Sequence, residues 1–142
     1  MTYLLDTCII SKLRKIKRRP DKPLEIWISK HEESKYFLSA LTIGEIQKGI
    51  SRLSNTKEKH ILEEWLRGDI VPRFKGRIKN FDLKVALKWG EINGNYQKRG
   101  MAIPVMDGLI AATAIAHDFI LVTENVKDFC NIDELNLFSP WE

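Results

Sequence analysis

Cysteine is scarce. Only Cys8 and Cys130 occur in the 142 residues, and they do not form a metal-ligand spacing. The expected state is therefore two reduced, packed thiols rather than a disulfide framework or a zinc site. Long apolar runs are also missing: the longest, from Gly108 to Ala116, is far short of the roughly 20 residues that cross a bilayer. The N-terminus reaches Asp6 before any signal-like run develops, so a cytoplasmic chain without a membrane partner is expected. There is no Gly-rich phosphate loop, internal repeat, low-complexity segment or linker. Ser11, Ser39 and Ser51 lack a paired base, which disfavours serine nucleophilic chemistry. His31, His60 and His117 sit in polar helical contexts that suit surface residues better than ligands or bases.

What the chain does contain is enough apolar residue for one ordinary core, with 44% hydrophobic residues, four Trp and six Phe. Residues 1–142 are read as a single domain. The net charge of +4 is compatible with a polyanionic partner without requiring one. Basic side chains concentrate at Lys12 to Arg19 and at Arg73 to Lys79. By default these are solvated faces, and they could also steer the phosphates of a polyanionic partner.

Short apolar runs at Tyr3 to Leu5, Tyr36 to Ser39, Ile120 to Thr123 and Leu137-Phe138 read as buried strands. Val71 to Phe81, broken by Pro72 and Gly76, reads as a loop plus a short edge strand with its basic side chains outward. Helices are expected after Asp6, after Asp21, from Thr42, from about Thr56 to a stop at Gly68, and after the Asp82 cap to Gly100. Within the Thr56 helix, Ile61, Leu62, Trp65 and Leu66 should face inward. The stretch Ile103 to Ala116 predicts a helix entered at Pro104, with Asp107 in its first turn. Strands alternating with helices indicate an α/β fold with a parallel sheet of four or five short strands flanked by helices.

On that topology Asp6, at the end of strand one, Glu45, in the first turn of the helix after strand two, and Asp107 share the carboxyl edge of the sheet, where open α/β sheets place ligands. Crowded carboxylates in a low-dielectric cleft either keep protons or hold a cation, and all-oxygen ligation selects Mg²⁺ or Mn²⁺. Such an ion lowers the pKa of bound water and offsets charge on phosphoryl oxygens during hydrolysis. Each acid also has a structural reading. Thr42-Ile43-Gly44-Glu45 fits a capping box, Asp107 could complement its helix dipole, and Asp6 could cap the following helix.

Leu5-Asp6-Thr7, Ser39 to Glu45, Asp107 to Ala114 and Leu121 to Asn125, with Gly76-Arg77-Ile78 and Phe138 to Trp141, together resemble the successive motifs of PIN-domain proteins. The likeness is to VapC-type toxins, including the FitB branch, and covers essentially the whole chain. The resemblance implies a metal-dependent endoribonuclease, usually dimeric or in a higher assembly, neutralised by a small antitoxin. It implies Asp6, Glu45 and Asp107 as metal-binding carboxylates and Thr123 as a hydroxyl ligand or water-orienting group. Two positions depart from the family pattern. Asn125 stands where an Asp is frequent; as a candidate catalytic residue its amide can still accept from water or weakly ligate, but one charge is removed, which Glu124 or Asp128 could replace, although Asp128 also suits a turn or cap. Cys8 stands where an Asn is frequent, and a thiol is a poor substitute for an amide donor. Alternative readings are a catalytically weakened nucleic-acid- or protein-binding PIN module and a metal-dependent DNA nuclease.

Overall fold

In the computed structural model, which describes residues 1–142, five strands form one parallel sheet. They are β1 (Tyr3–Leu5), β2 (Tyr36–Ser39), β3 (Ile78–Lys79), β4 (Ile120–Val122) and β5 (Asn136–Phe138), in the order β3-β2-β1-β4-β5. Helices α1 (Thr7–Arg14), α2 (Lys22–Ser29), α3 (Ala40–Ser51), α4 (Thr56–Trp65), α5 (Val71–Arg73), α6 (Leu83–Lys98), α7 (Val105–Ala116) and α8 (Val126–Phe129) make the connections. No helix is long and apolar enough to cross a membrane.

The alternation of side chains along a strand divides the core into two layers. Leu4 and Leu121 face α6 and α7, packing with Val85, Ile92, Ile110, Ala111, Ala112 and Ala114. Tyr3, Leu5 and Val122 face the other way, against Ile9 and Ile10 of α1, Leu24 and Trp27 of α2, and Leu66 and Ile70. The alanines of α7 let it lie close to the sheet. Gly108 lets it lie close to α6, since a Cβ there would meet Asn93 Nδ2 at 3.2 Å and Trp89 Nε1 at 3.4 Å.

Several local expectations are corrected. The helix after β2 opens at Ala40, because Ser39 at the strand end takes the cap by accepting from Leu41 N–H at 3.0 Å. Thr42 is thus inside the helix, fully buried, with its hydroxyl unpartnered. Glu45 lies in the second turn and is not the partner in a capping box. Gly68 does not stop α4, which runs on through a wide turn, Leu66–Ile70, into α5. The buried residues Leu66, Ile70 and Phe74, four apart, hold that continuation to the core, whereas Ile61 is 55% exposed. Cys130 is exposed rather than packed, although both cysteines are free.

The cap assignment can be checked by denaturant unfolding. Ser39→Ala should cost about 1 kcal/mol. Thr42→Val, which removes a buried and unpaired hydroxyl, should be neutral or stabilise by about 1 kcal/mol. The reverse pattern would return the cap to Thr42.

Candidate active site

Asp6 continues β1 by one residue: its N–H donates to Val122 O at 3.0 Å, while Thr123 N–H donates to Phe138 O at 3.1 Å. These bonds set Asp6 beside Thr123 where the two central strands end. The Thr123 hydroxyl, fully buried, donates to Asp6 Oδ2 at 2.8 Å and accepts from Asn125 N–H at 3.0 Å. Its hydrogen-bonding capacity is turned toward Asp6, so it orients that carboxylate. Asp6 Oδ1 accepts from Thr7 N–H at 2.8 Å at the N-terminus of α1. Asp6 therefore does cap α1, with one carboxylate oxygen.

Glu45 reaches the same place from α3. Its Oε1 accepts from the Thr7 hydroxyl at 2.9 Å, so Thr7 bridges two acids with its amide and its side chain. The sequence reading gave Thr7 no role. The available signal was a hydroxyl at the first helical position after a strand-end acid. Cys8 was expected to be a poor replacement for an amide, yet its Sγ lies 3.8 Å from Asp6 Oδ2 and 3.7 Å from Thr123 Oγ1. Burial is the main cause pushing the Cys8 pKa up, which leaves a neutral thiol as a weak donor against the carboxylate.

Asp107 sits in the first turn of α7, which runs antiparallel to the strands and brings its N-terminus to their carboxyl edge. Burial pushes its carboxyl above the ordinary range, and the charges of Asp128, Asp6 and Glu45 push it the same way. Asp107 thus lies within the field of the other three carboxylates. None of the four takes part in an ion pair, although the chain has 23 Lys and Arg against 19 Asp and Glu. No three acidic, His or Cys side chains close into a ready ion-binding group. The Asn125 side chain is exposed and makes no hydrogen bond within the protein; only its backbone N–H serves the site.

No histidine shares this edge. His31 packs on Tyr3 at the opposite end of β1, His60 lies in α4, and His117 ends α7 at the far side from Asp107. His117 is less exposed than its polar context predicts, at 18% for the side chain.

The order of these elements matches a known family over nearly the full length: a PIN domain model covers residues 3–135. The chain belongs to the PIN domain family. Among PIN-domain relatives, it is 35% identical over 138 residues to toxin FitB of Neisseria gonorrhoeae, spanning 97% of both chains. It is 32% identical over 139 residues to VapC ribonuclease Y4jK of Sinorhizobium fredii, spanning 98% of this chain and 97% of that one. The crystal structure of FitAcB from Neisseria gonorrhoeae superposes with a TM-score of 0.88 at 34% identity, over 99% of both chains. VapBC2 from Rickettsia felis, bound to a fragment of promoter DNA, superposes at 0.72 and 28% identity, over 98% of both. The single α/β domain with its parallel sheet is thus the PIN fold, as its motifs imply.

The raised Asp107 pKa sets a pH dependence. The folded chain holds this proton more tightly than the unfolded chain, so the contribution is full below the unfolded carboxylate pKa and is lost as pH rises through the folded value. Asp107→Asn removes the repulsion. In EDTA it should raise the thermal midpoint at pH 7 and leave it unchanged near pH 3. A lower midpoint at pH 7 would show that the Asp107 charge is stabilising.

Proposed function

We propose that this protein is the ribonuclease toxin of a toxin–antitoxin pair and hydrolyses RNA phosphodiester bonds with Mg²⁺ or Mn²⁺. The observation that carries this reading is the set of uncompensated acids at the carboxyl edge of a PIN fold. Asp6, Glu45 and Asp107 offer only oxygen donors, from three different elements, with no Lys or Arg neutralising them. That donor set fits a hard divalent cation. These three residues would hold it, and when bound it would supply an activated water and offset charge on the phosphate and the leaving oxygen.

The protein's own side chains have definable tasks. Thr123 fixes the Asp6 carboxylate by a charge-assisted hydrogen bond, and the Thr7 hydroxyl fixes Glu45. With His31, His60 and His117 elsewhere, no imidazole is placed to take a proton at this edge. Lys12 Nζ lies 3.4 Å from Glu124 Oε2, next to Thr123. This lysine would help to attract phosphates that the acids alone would repel. The second basic stretch contributes less: Arg73 pairs with Asp69 at 2.9 Å, and Arg77 lies 3.7 Å from Glu33 and is bonded to backbone carbonyls.

The relatives named as toxins, and the solved FitAB and VapBC complexes, support a cognate antitoxin as partner and a homodimer or larger assembly as the working form. An RNA cleavage assay tests the chemistry, run beside single-stranded and duplex DNA, with Mg²⁺, Mn²⁺ or EDTA. RNA should be cut only with the divalent ion, and Asp6→Asn should abolish cutting while the protein stays folded. Full activity of Asp6→Asn would refute the assignment. Preferential cutting of DNA would turn the reading toward a DNA nuclease.

A further inference from the structure

Two side chains one turn apart on α1 face the segment that follows β4. Cys8 Sγ lies 3.7 Å from Thr123 Oγ1, and Lys12 Nζ lies 3.4 Å from Glu124 Oε2. The next carboxylate to Lys12, Asp21 Oδ2, is 4.0 Å away. Both separations are longer than the roughly 2.7–2.9 Å of a closed charge-assisted hydrogen bond. Other surface cations do close: Lys88 Nζ lies 2.9 Å from Glu91 Oε2, and Arg73 2.9 Å from Asp69. The Lys12 ammonium is thus located at the carboxyl edge without being saturated there, and its side chain is 38% exposed.

Trp141 fixes that location from the other side. After β5 the chain turns, with Glu142 N–H donating to Ser139 O at 3.2 Å, and the Trp141 indole packs against the layer that holds Ile9, Ile10 and Leu24. Lys12 Nζ stands 5.3 Å from the centre of the indole ring. The indole N–H donates to both oxygens of Asp21, at 2.9 and 3.1 Å, and Asp21 also caps α2 by accepting from Leu24 N–H at 3.2 Å. An acid engaged twice over competes weakly for the lysine, which leaves the ammonium on the Glu124 side. Resting on the ribonuclease reading above, we infer that Lys12 binds a backbone phosphate of the RNA strand beside the scissile one, exchanging Glu124 for it, and that Trp141 positions Lys12 for this contact. A phosphate brings anionic oxygens free to close on the unsaturated ammonium. The contact carries no sequence preference; it sets the register of the strand over Asp6 and Thr123.

The test is steady-state cleavage of a single-stranded oligoribonucleotide by the full chain with Mn²⁺, over a series of KCl concentrations. Lys12→Gln should raise KM roughly fivefold and leave kcat unchanged. It should also reduce the slope of log(kcat/KM) against log[KCl] by about 0.7, the share of one phosphate on a single strand. Lys12→Arg, which keeps the charge, should restore most of both. Trp141→Leu should raise KM in the wild-type background and add nothing in the Lys12→Gln background. Thermal melts check folding, and Trp141→Phe, which keeps a ring but loses the N–H, replaces Trp141→Leu if that variant unfolds. Lys30→Gln, at the exposed C-terminal end of α2, is the control for diffuse charge and should leave KM unchanged. Wild-type KM and salt slope in Lys12→Gln overturn the inference, as does an equal loss in Lys30→Gln. A Trp141 effect that persists undiminished in Lys12→Gln overturns the positioning role. A wild type that cuts no RNA overturns this inference together with the ribonuclease reading, whereas a wild type that cuts with Lys12→Gln unimpaired overturns this inference alone.

Discussion

The hydrogen bond from the Thr123 hydroxyl to Asp6 Oδ2, 2.8 Å long and buried, ties together residues 117 positions apart. It forms only because β1 and β4 are parallel neighbours in one register, Leu5 opposite Val122, with the Asp6 N–H carrying the ladder one residue beyond the strand. Parallel pairing requires crossover helices, and those helices bring the remaining acids. Glu45 arrives on the crossover after β2 and is held by Thr7. Asp107 arrives at the head of the helix that leads into β4. A slip of one residue between β1 and β4 would turn their alternate side chains to the wrong layers and separate Thr123 from Asp6. The register of the core and the geometry of the site are therefore one constraint.

The charge distribution runs against what stability alone would favour. A chain of net charge +4 leaves Asp6, Glu45, Asp107 and Asp128 without cationic partners, while Glu63, Asp69 and Glu134 on the surface are paired with Arg67, Arg73 and Lys88. Burial and like charge oppose ionisation of Asp107. Unpaired, mutually repelling carboxylates persist where a ligand that brings positive charge relieves the cost.

Much of this was legible in the residues. The apolar strands ended on time, Pro104 marked the entry to α7, Asp82 capped α6, and the three acids fell on one sheet edge because strand and helix periodicity put them there. The misreadings came where one residue type serves two local purposes. Ser39 and Thr42 can both cap, and only the strand end shows that Ser39 does. Gly68 resembles a stop, yet Leu66, Ile70 and Phe74 carry the helix past it. Thr7 was passed over because its partner, Glu45, is 38 residues away. Pairings of that kind are properties of the packed chain, and no local pattern encodes them.

The central claim is that the fold gathers distant carboxylates into one cation site. It is tested most directly by collecting X-ray data at the manganese absorption edge from crystals grown with Mn²⁺. An anomalous peak within oxygen-ligand distance of the Asp6, Glu45 and Asp107 carboxylates is predicted. Crystals saturated with Mn²⁺ that show no peak there, or peaks only on surface acids, would contradict it.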